Sequence, residues 1–232
     1  SARNFGIRKA KGEFIAFLDD DDLFKFDKIE KQLDILMNYP KYDLVHSSAT
    51  VIEHDGKITN ITIGASNDKS HLRTGNVFWN ALGRWCVKSP TPLLRKEIFE
   101  KVMFDETIEV SEDFDFYQRL FYFFQVYYIN ESLAYYRDSN KISRLSKKAE
   151  KYVGVERQFF NNYLKMGVKN PFTLYRIALR LAHCGIKNWN LYYTNNKIVV
   201  NKWKLILNPF YYIKNLNKLS EKVEYTKKLK MN

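Results

Sequence analysis

Four consecutive aspartates, Asp19 to Asp22, follow directly on five apolar residues, Phe14 to Leu18, and no other stretch restricts the fold of this chain as strongly. Five residues are too few for an isolated helix and too uniformly apolar for a surface strand, so the run reads as a strand buried on both faces. In open α/β folds ligands bind where such strands end. Adjacent carboxylates repel one another and shift towards protonation unless a cation neutralises them. A hard divalent ion, Mg²⁺ or Mn²⁺, meets that need, because it takes oxygen ligands and keeps positions open for a substrate phosphate. In extended chain Asp19 and Asp21 would point the same way and face one ion, with Asp20 and Asp22 turned away. A helix cap takes one aspartate, so capping explains Asp22 or Asp27 and leaves at least two carboxylates over. An EF-hand loop counted from Asp19 would need Gly where Phe24 stands. An aspartyl-phosphatase loop would need Thr where Leu23 stands, which keeps a metal-dependent phosphohydrolase as the alternative enzyme.

At 232 residues, 45% hydrophobic, the chain suits one globular domain with a real core plus an appendage. Cys86 and Cys184 give no metal-ligand spacing, which makes a reduced, cytoplasmic compartment the expectation. No apolar run reaches the length of a membrane span. The chain lacks an initiator Met and Ser1 opens in helix-like sequence, so a fragment is expected. Net charge is +12, unevenly spread: residues 146–232 hold 18 Lys/Arg against 4 Asp/Glu, leaving 20 against 22 for residues 1–145. A tail so basic is expected to meet a polyanion, either nucleic acid or an anionic membrane surface.

In order, Ala2 to Ala10 reads as a helix stopped by Lys11-Gly12. Ile29, Leu33, Leu36 and Met37 mark the inward stripe of a helix ended by Pro40. Tyr42 to Glu53, a turn at Asp55-Gly56, and Lys57 to Ile63 form a hairpin. Gly64 to Ser70 reads as a loop, His71 to Leu82 as a helix, and Lys96 to Val102 as a short helix after Ser89-Pro90-Thr91-Pro92. Ser111 is the expected N-cap of a helix with Phe114, Tyr117, Phe121 and Phe124 inward. Glu112 and Asp113 then lie in its first turn, where the dipole favours the ionised carboxylate. Tyr127 to Ile129 and Leu133 to Arg137 read as short strands around Asn130-Glu131-Ser132. From Ser146 the pattern becomes helical, placing the boundary near Leu145, and Pro171 and Pro209 each start a helix just after an Asn.

Together these segments resemble a family 2 glycosyltransferase of the GT-A fold without its opening part. The resemblance rests on Ala2-Arg3-Asn4-x-Gly6-Ile7 with Ala10-Lys11-Gly12-Glu13, the Leu18 to Asp22 run, Phe104-Asp105-Glu106, Glu112-Asp113 and Leu133-x-Tyr135-Tyr136-Arg137. It spans residues 1–145 and implies an α/β, partly Rossmann-like mixed sheet flanked by helices, followed by a helical region over 146–232. It further implies inverting transfer of a sugar from a nucleotide-sugar donor, a UDP-sugar first, to a glycan or lipid-linked acceptor in bacterial surface polysaccharide synthesis. Asp21 would ligate Mn²⁺ or Mg²⁺, Asp19 would share the metal and face the nucleotide sugar, and Asp20 and Asn4 belong to the same donor-binding motifs. Asp113 matches the family's base, with Glu112 beside it. Inversion needs one carboxylate to take the acceptor proton and a metal to stabilise the leaving diphosphate.

Arg137 or Arg144 is expected at the diphosphate, unless either is an ordinary surface charge. Trp79, Arg84 and Trp85 are candidates for an acceptor wall, or are simply packed. Ser139 stands where the family often has His, Phe26 at a common proline position, and no Gln-x-x-Arg-Trp follows Asp113, which favours single addition over processive synthesis. With the first strands missing, activity of the chain by itself is not expected with assurance. A basic nucleic-acid-binding module would explain the tail but not four aspartates at a strand end. The expected location is therefore the cytoplasm, peripheral at the inner face of the membrane, without nucleic acid as a partner.

Overall fold

The computed structural model describes residues 2–138, 152–192 and 198–215. Two compact units divide the chain: residues 1–81, 85–106 and 112–141 form the first, and 82–84, 107–111 and 142–232 the second.

The first unit contains α1 (Ala2–Lys9), β1 (Phe14–Ile15), β2 (Leu23–Phe24), α2 (Lys28–Asn38), β3 (Leu44–Ile52), β4 (Ile58–Ile63), α3 (Phe78–Ala81), β5 (Leu93–Arg95), α4 (Glu112–Phe123) and β6 (Val126–Arg137). Its sheet runs β1-β5-β3-β6-β2, with β4 on β3. Among these pairings β3 and β6 are parallel and the others antiparallel. This is the mixed α/β sheet with flanking helices that the sequence predicts, followed by a helical region.

The hairpin forms as expected. Gly56 takes φ 91°, a left-handed value open to glycine, and its amide donates to Glu53 O at 3.0 Å. The apolar run before the aspartates differs from its expectation. Only Phe14 and Ile15 pair, antiparallel to β5 at the sheet edge, and Leu18 is half exposed. Ile15 is buried, and the partly buried Phe17 packs edge-on to Phe99, Phe104 and Phe116, while Phe104 and Phe116 stack at 3.9 Å. Aromatic contacts of this kind add about 0.5–1.5 kcal/mol each beyond area burial. They fix the chain two residues ahead of Asp19.

Helix α2 is rotated from its expected face. Lys28, Gln32 and Leu36 are buried, whereas Ile29 and Met37 are exposed. The polar pair is tolerated inside because it is satisfied: Lys28 Nζ donates to Gln32 Oε1 at 2.7 Å and to Pro92 O at 3.2 Å, and Gln32 Nε2 donates to Thr91 O at 2.7 Å. Leu36 packs with Tyr42, Val45 and Leu93. Elsewhere, 3₁₀ turns over Asn67–Arg73 and Lys96–Glu100 replace the expected loop and short helix, and only Phe78–Ala81 of the 71–82 stretch is α-helical. The two segments around Asn130-Glu131-Ser132 are one strand, β6, whose register against β3 slips between Ser47 and Ala49. Ser111 takes φ 59° rather than the extended conformation of an N-cap. Helix α4 buries Asp115 to Phe121, a wider face than the expected stripe.

In the second unit α5 (Glu156–Lys165), α6 (Pro171–Tyr192) and α7 (Lys202–Leu207) follow. Asn170 caps α6, its Oδ1 accepting from Thr173 N at 2.9 Å, and Pro171 begins it. Asn208 Oδ1 accepts from Tyr211 N at 3.1 Å, and residues 209–215 are helical. Tyr175 donates its hydroxyl to Ile206 O at 2.6 Å, tying α6 to α7. No helix among the described residues is long and apolar enough to cross a membrane.

Candidate active site

The chain between β1 and β2 joins opposite edges of the sheet, and the aspartates lie in that connection. It is a turn, not the extended segment expected: Asp22 N donates to Asp19 O at 3.1 Å, so the alternation that would have paired Asp19 with Asp21 does not apply. Asp22 is buried and accepts from the Arg137 amide at 2.8 Å. Asp20 is exposed and Asp19 and Asp21 are half-buried.

Arg137, expected at a diphosphate, donates to three backbone carbonyls. Its Nε donates to Asp21 O at 2.7 Å, and its Nη1 to Glu53 O at 2.8 Å and His54 O at 2.9 Å. The guanidinium therefore holds the acidic turn against the β3–β4 hairpin. Asn4 is likewise a structural pin. Its Nδ2 donates to Phe104 O at 2.9 Å and Glu106 Oε1 at 2.8 Å, and its Oδ1 accepts from Phe104 N at 3.1 Å, so its buried amide ties α1 to this segment.

What brings the acidic motifs together is Arg3. Its Nη2 reaches Asp19 Oδ1 at 3.0 Å and its Nη1 reaches Glu112 Oε1 at 2.8 Å, with the guanidinium 5.5 Å from the centre of the Phe104 ring. Burial pulls the Arg3 pKa down, but Asp19, Glu112 and Asp113 outweigh it and the net direction is up. The arginine is thus a fixed cation. It occurs inside the Ala2-Arg3-Asn4 motif, yet sequence reasoning did not assign it a role. The available signal was that carboxylates arriving from two segments need a cation, and α1 offers one.

Arg3, Asp19, Asp20 and Glu112 share a pocket of about 510 Å³ floored by Phe17 and Phe104. A larger depression, about 820 Å³, lies between α1, β1 and the Lys96–Glu100 turn, and it holds none of the candidate residues. Asp113 sits one residue behind Glu112, with its Oδ1 accepting from Phe114 N at 2.7 Å. Part of its surface is open to solvent, yet it lies deep among neighbours. Burial and then Glu112 push its pKa up, against the Phe114 amide, Arg3 and Lys88, and the net direction is up. The first-turn dipole expected to favour the ionised form is therefore outweighed by desolvation.

The remaining candidates separate. Trp85 stacks on His46 at 5.8 Å and lies under the Arg73 guanidinium at 4.1 Å, and Trp79 packs on Phe78. Both are packing aromatics. Arg84 belongs to the second unit, and Arg144 lies outside the described residues.

The aspartates suit a divalent cation by donor chemistry, because half-buried carboxylates in a turn offer hard oxygen atoms and Arg3 takes only one oxygen of Asp19. Among the described residues no three His, Cys, Asp or Glu side chains gather around one point. Asp19 and Asp21 would therefore supply one or two ligands, and substrate oxygens would complete the shell, as is usual for Mg²⁺.

Residues 1–103 match the model of Glycosyl transferase family 2. A glycosyltransferase of Rickettsia bellii, named as uncharacterized, is 36% identical over 114 residues, covering 49% of this chain and 15% of that protein. A second, from Methanocaldococcus jannaschii, is 28% identical over 155 residues, covering 63% of this chain and 49% of that protein. Glycosyltransferase GlyG of Streptococcus pneumoniae is 28% identical over 151 residues, covering 59% and 47%. The chain thus spans half or less of the length of these relatives. The acidic turn, α1 and β5 all lie inside the stretch that is similar to glycosyl transferase family 2.

Proposed function

We propose that the first unit works in an inverting glycosyl transfer from a nucleotide sugar, with a UDP-sugar as donor, to a hydroxyl of a glycan or lipid-linked acceptor in bacterial surface polysaccharide synthesis. The observation that carries this reading is the Arg3 bridge, which joins carboxylates from residues 19 and 112 on the wall of one pocket. Asp21 and Asp19 would hold Mn²⁺ or Mg²⁺, an ion that would supply positive charge for a leaving diphosphate. Arg3 keeps Asp19 and Glu112 in place and balances their charge. Asp113, whose pKa is raised by burial, takes the acceptor proton as the new bond forms, since a more basic carboxylate is the better proton acceptor. Phe17 and Phe104 exclude water from the pocket floor. The second unit supports contact with an anionic membrane surface, because Trp203 and Leu207 are exposed beside Lys202 and Lys204.

A thermal-shift panel of nucleotide sugars on this protein tests the reading. One sugar nucleotide should stabilise it only when Mn²⁺ or Mg²⁺ is present, by about 2.7 kcal/mol at a hundredfold excess over Kd, and Asp21→Asn should abolish the effect. Stabilisation by no nucleotide sugar, or equal stabilisation without metal, would overturn it.

A further inference from the structure

Helix α6 has one face buried in its unit and another that is largely exposed among the described residues. Ile177, Ala178, Leu181, Ala182, Ile186 and Trp189 are buried, so the opposite side looks outward. With 3.6 residues per turn, Phe172, Arg176, Arg180, His183, Lys187 and Leu191 fall within an arc of roughly 100°. Phe172 and Leu191, at the two ends of that arc, are 68% and 67% exposed. They stand about 28 Å apart at 1.5 Å per residue. Between them the exposed positions are basic, and the 22 residues of α6 contain no Asp or Glu.

A fifth basic side chain joins from outside the helix. Gly83 has φ 70°, and a Cβ there would meet Arg180 O at 3.2 Å, so the chain lies tightly against α6 at this point. Arg84 is thereby set beside Arg180. Burial, and then the charges of Arg84 and Arg176, lower the Arg180 pKa, which puts both of those guanidinium groups within reach of its field. The Arg176 guanidinium lies 5.9 Å from the Phe172 ring centre, where an aromatic and a cation can sit together at a headgroup boundary.

We infer that this stripe of α6, with Arg84, is a docking face for an anionic lipid surface, the basic middle meeting headgroup phosphates and Phe172 and Leu191 entering the interface at either end. A bare polyanion such as RNA would match the charge but would leave the two apolar ends in water. This deepens the membrane-surface part of the reading above and rests on that part alone, not on glycosyl transfer.

Vesicle sedimentation tests it with the full chain on phosphatidylcholine alone and on phosphatidylcholine mixed with phosphatidylglycerol. The chain should pellet with the anionic vesicles and be released by salt. Arg176→Gln with Lys187→Gln should cut partitioning about thirtyfold, since each basic residue is worth about fivefold at such a surface. Phe172→Ser with Leu191→Ser should weaken it while leaving its salt dependence in place. Lys202→Gln with Lys204→Gln removes equal charge from α7 and should have the smaller effect, and circular dichroism verifies that every variant is folded. A larger loss from the α7 variant, or no loss from the α6 variants, would overturn the docking face while leaving membrane contact standing. Failure of the unaltered chain to bind anionic vesicles, with or without RNA binding, would overturn both.

Discussion

Glu156→Gln should flatten the pH dependence of the second unit's stability. Glu156 is fully buried at the start of α5. One oxygen accepts from Asn188 Nδ2 at 2.9 Å, and among the described residues the other meets no donor in good hydrogen-bond geometry, the amides of Glu156 and Gly154 being only nearby. Burial raises its pKa from 4.5 to about 7, against the pull of its own amide, Asn188 and the Gly154 amide. A carboxyl whose folded pKa is raised prefers to be protonated in the folded state. Its contribution is full below about pH 4.5 and is lost as pH rises through about 7. The shift corresponds to about 3 kcal/mol over that window. Of the titratable neighbours, Cys184 has its thiol pushed up to about 12 by burial and then by Glu156, so it stays protonated throughout. Glutamine keeps the neutral shape and the acceptor for Asn188 but cannot ionise. Urea unfolding of both proteins across this window should show wild type losing about 3 kcal/mol relative to the variant. Parallel profiles would refute the claim that Glu156 is buried and ionises there.

Lys28→Met should act in the opposite window. Burial lowers the Lys28 pKa from 10.5 to about 7, so its contribution is full above 10.5 and is lost as pH falls towards about 7. Urea titrations should show wild-type stability rising over that range and the variant flat, with an upper limit of about 5 kcal/mol because the Phe24 ring, 4.4 Å from Nζ, eases the charge. Asn4→Ala should destabilise the first unit by about 1–3 kcal/mol by orphaning groups at Phe104 and Glu106, measured by thermal melting; an unchanged Tm would contradict its role as a pin. Arg3→Gln should leave the melting temperature nearly unaltered, since half-exposed ion pairs contribute about 0–1 kcal/mol, while weakening nucleotide-sugar binding measured by calorimetry.

The parts legible in the sequence were those set by local chemistry. Gly56 fixes the hairpin, Asn170-Pro171 opens α6, and the stop at Lys11-Gly12 closes α1. What escaped depends on partners far along the chain. The buried face of α2 is decided by carbonyls at Thr91 and Pro92, which turn Lys28 and Gln32 inward against their polarity. Five apolar residues before the aspartates promised a long buried strand, but Phe17 finds its partners in Phe99, Phe104 and Phe116 instead of in a ladder. In the site, the acidic motifs were visible as residue types. Their joining through Arg3 was not, because it spans 109 residues. Asn4 and Arg137 were recognisable as motif positions, but their hydrogen bonds to the Phe104, Glu106, Asp21, Glu53 and His54 groups could be seen only in the folded chain.

The central claim is that Asp113 takes the acceptor proton beside a metal-assisted donor site. Its most direct test is turnover of Asp113→Asn at saturating nucleotide sugar and Mn²⁺. The account predicts nearly unaltered donor binding and a loss in turnover of roughly 10²–10⁴-fold, the usual size for a general base. Turnover close to wild type would contradict it and would leave Asp113 as a buried first-turn acid of α4.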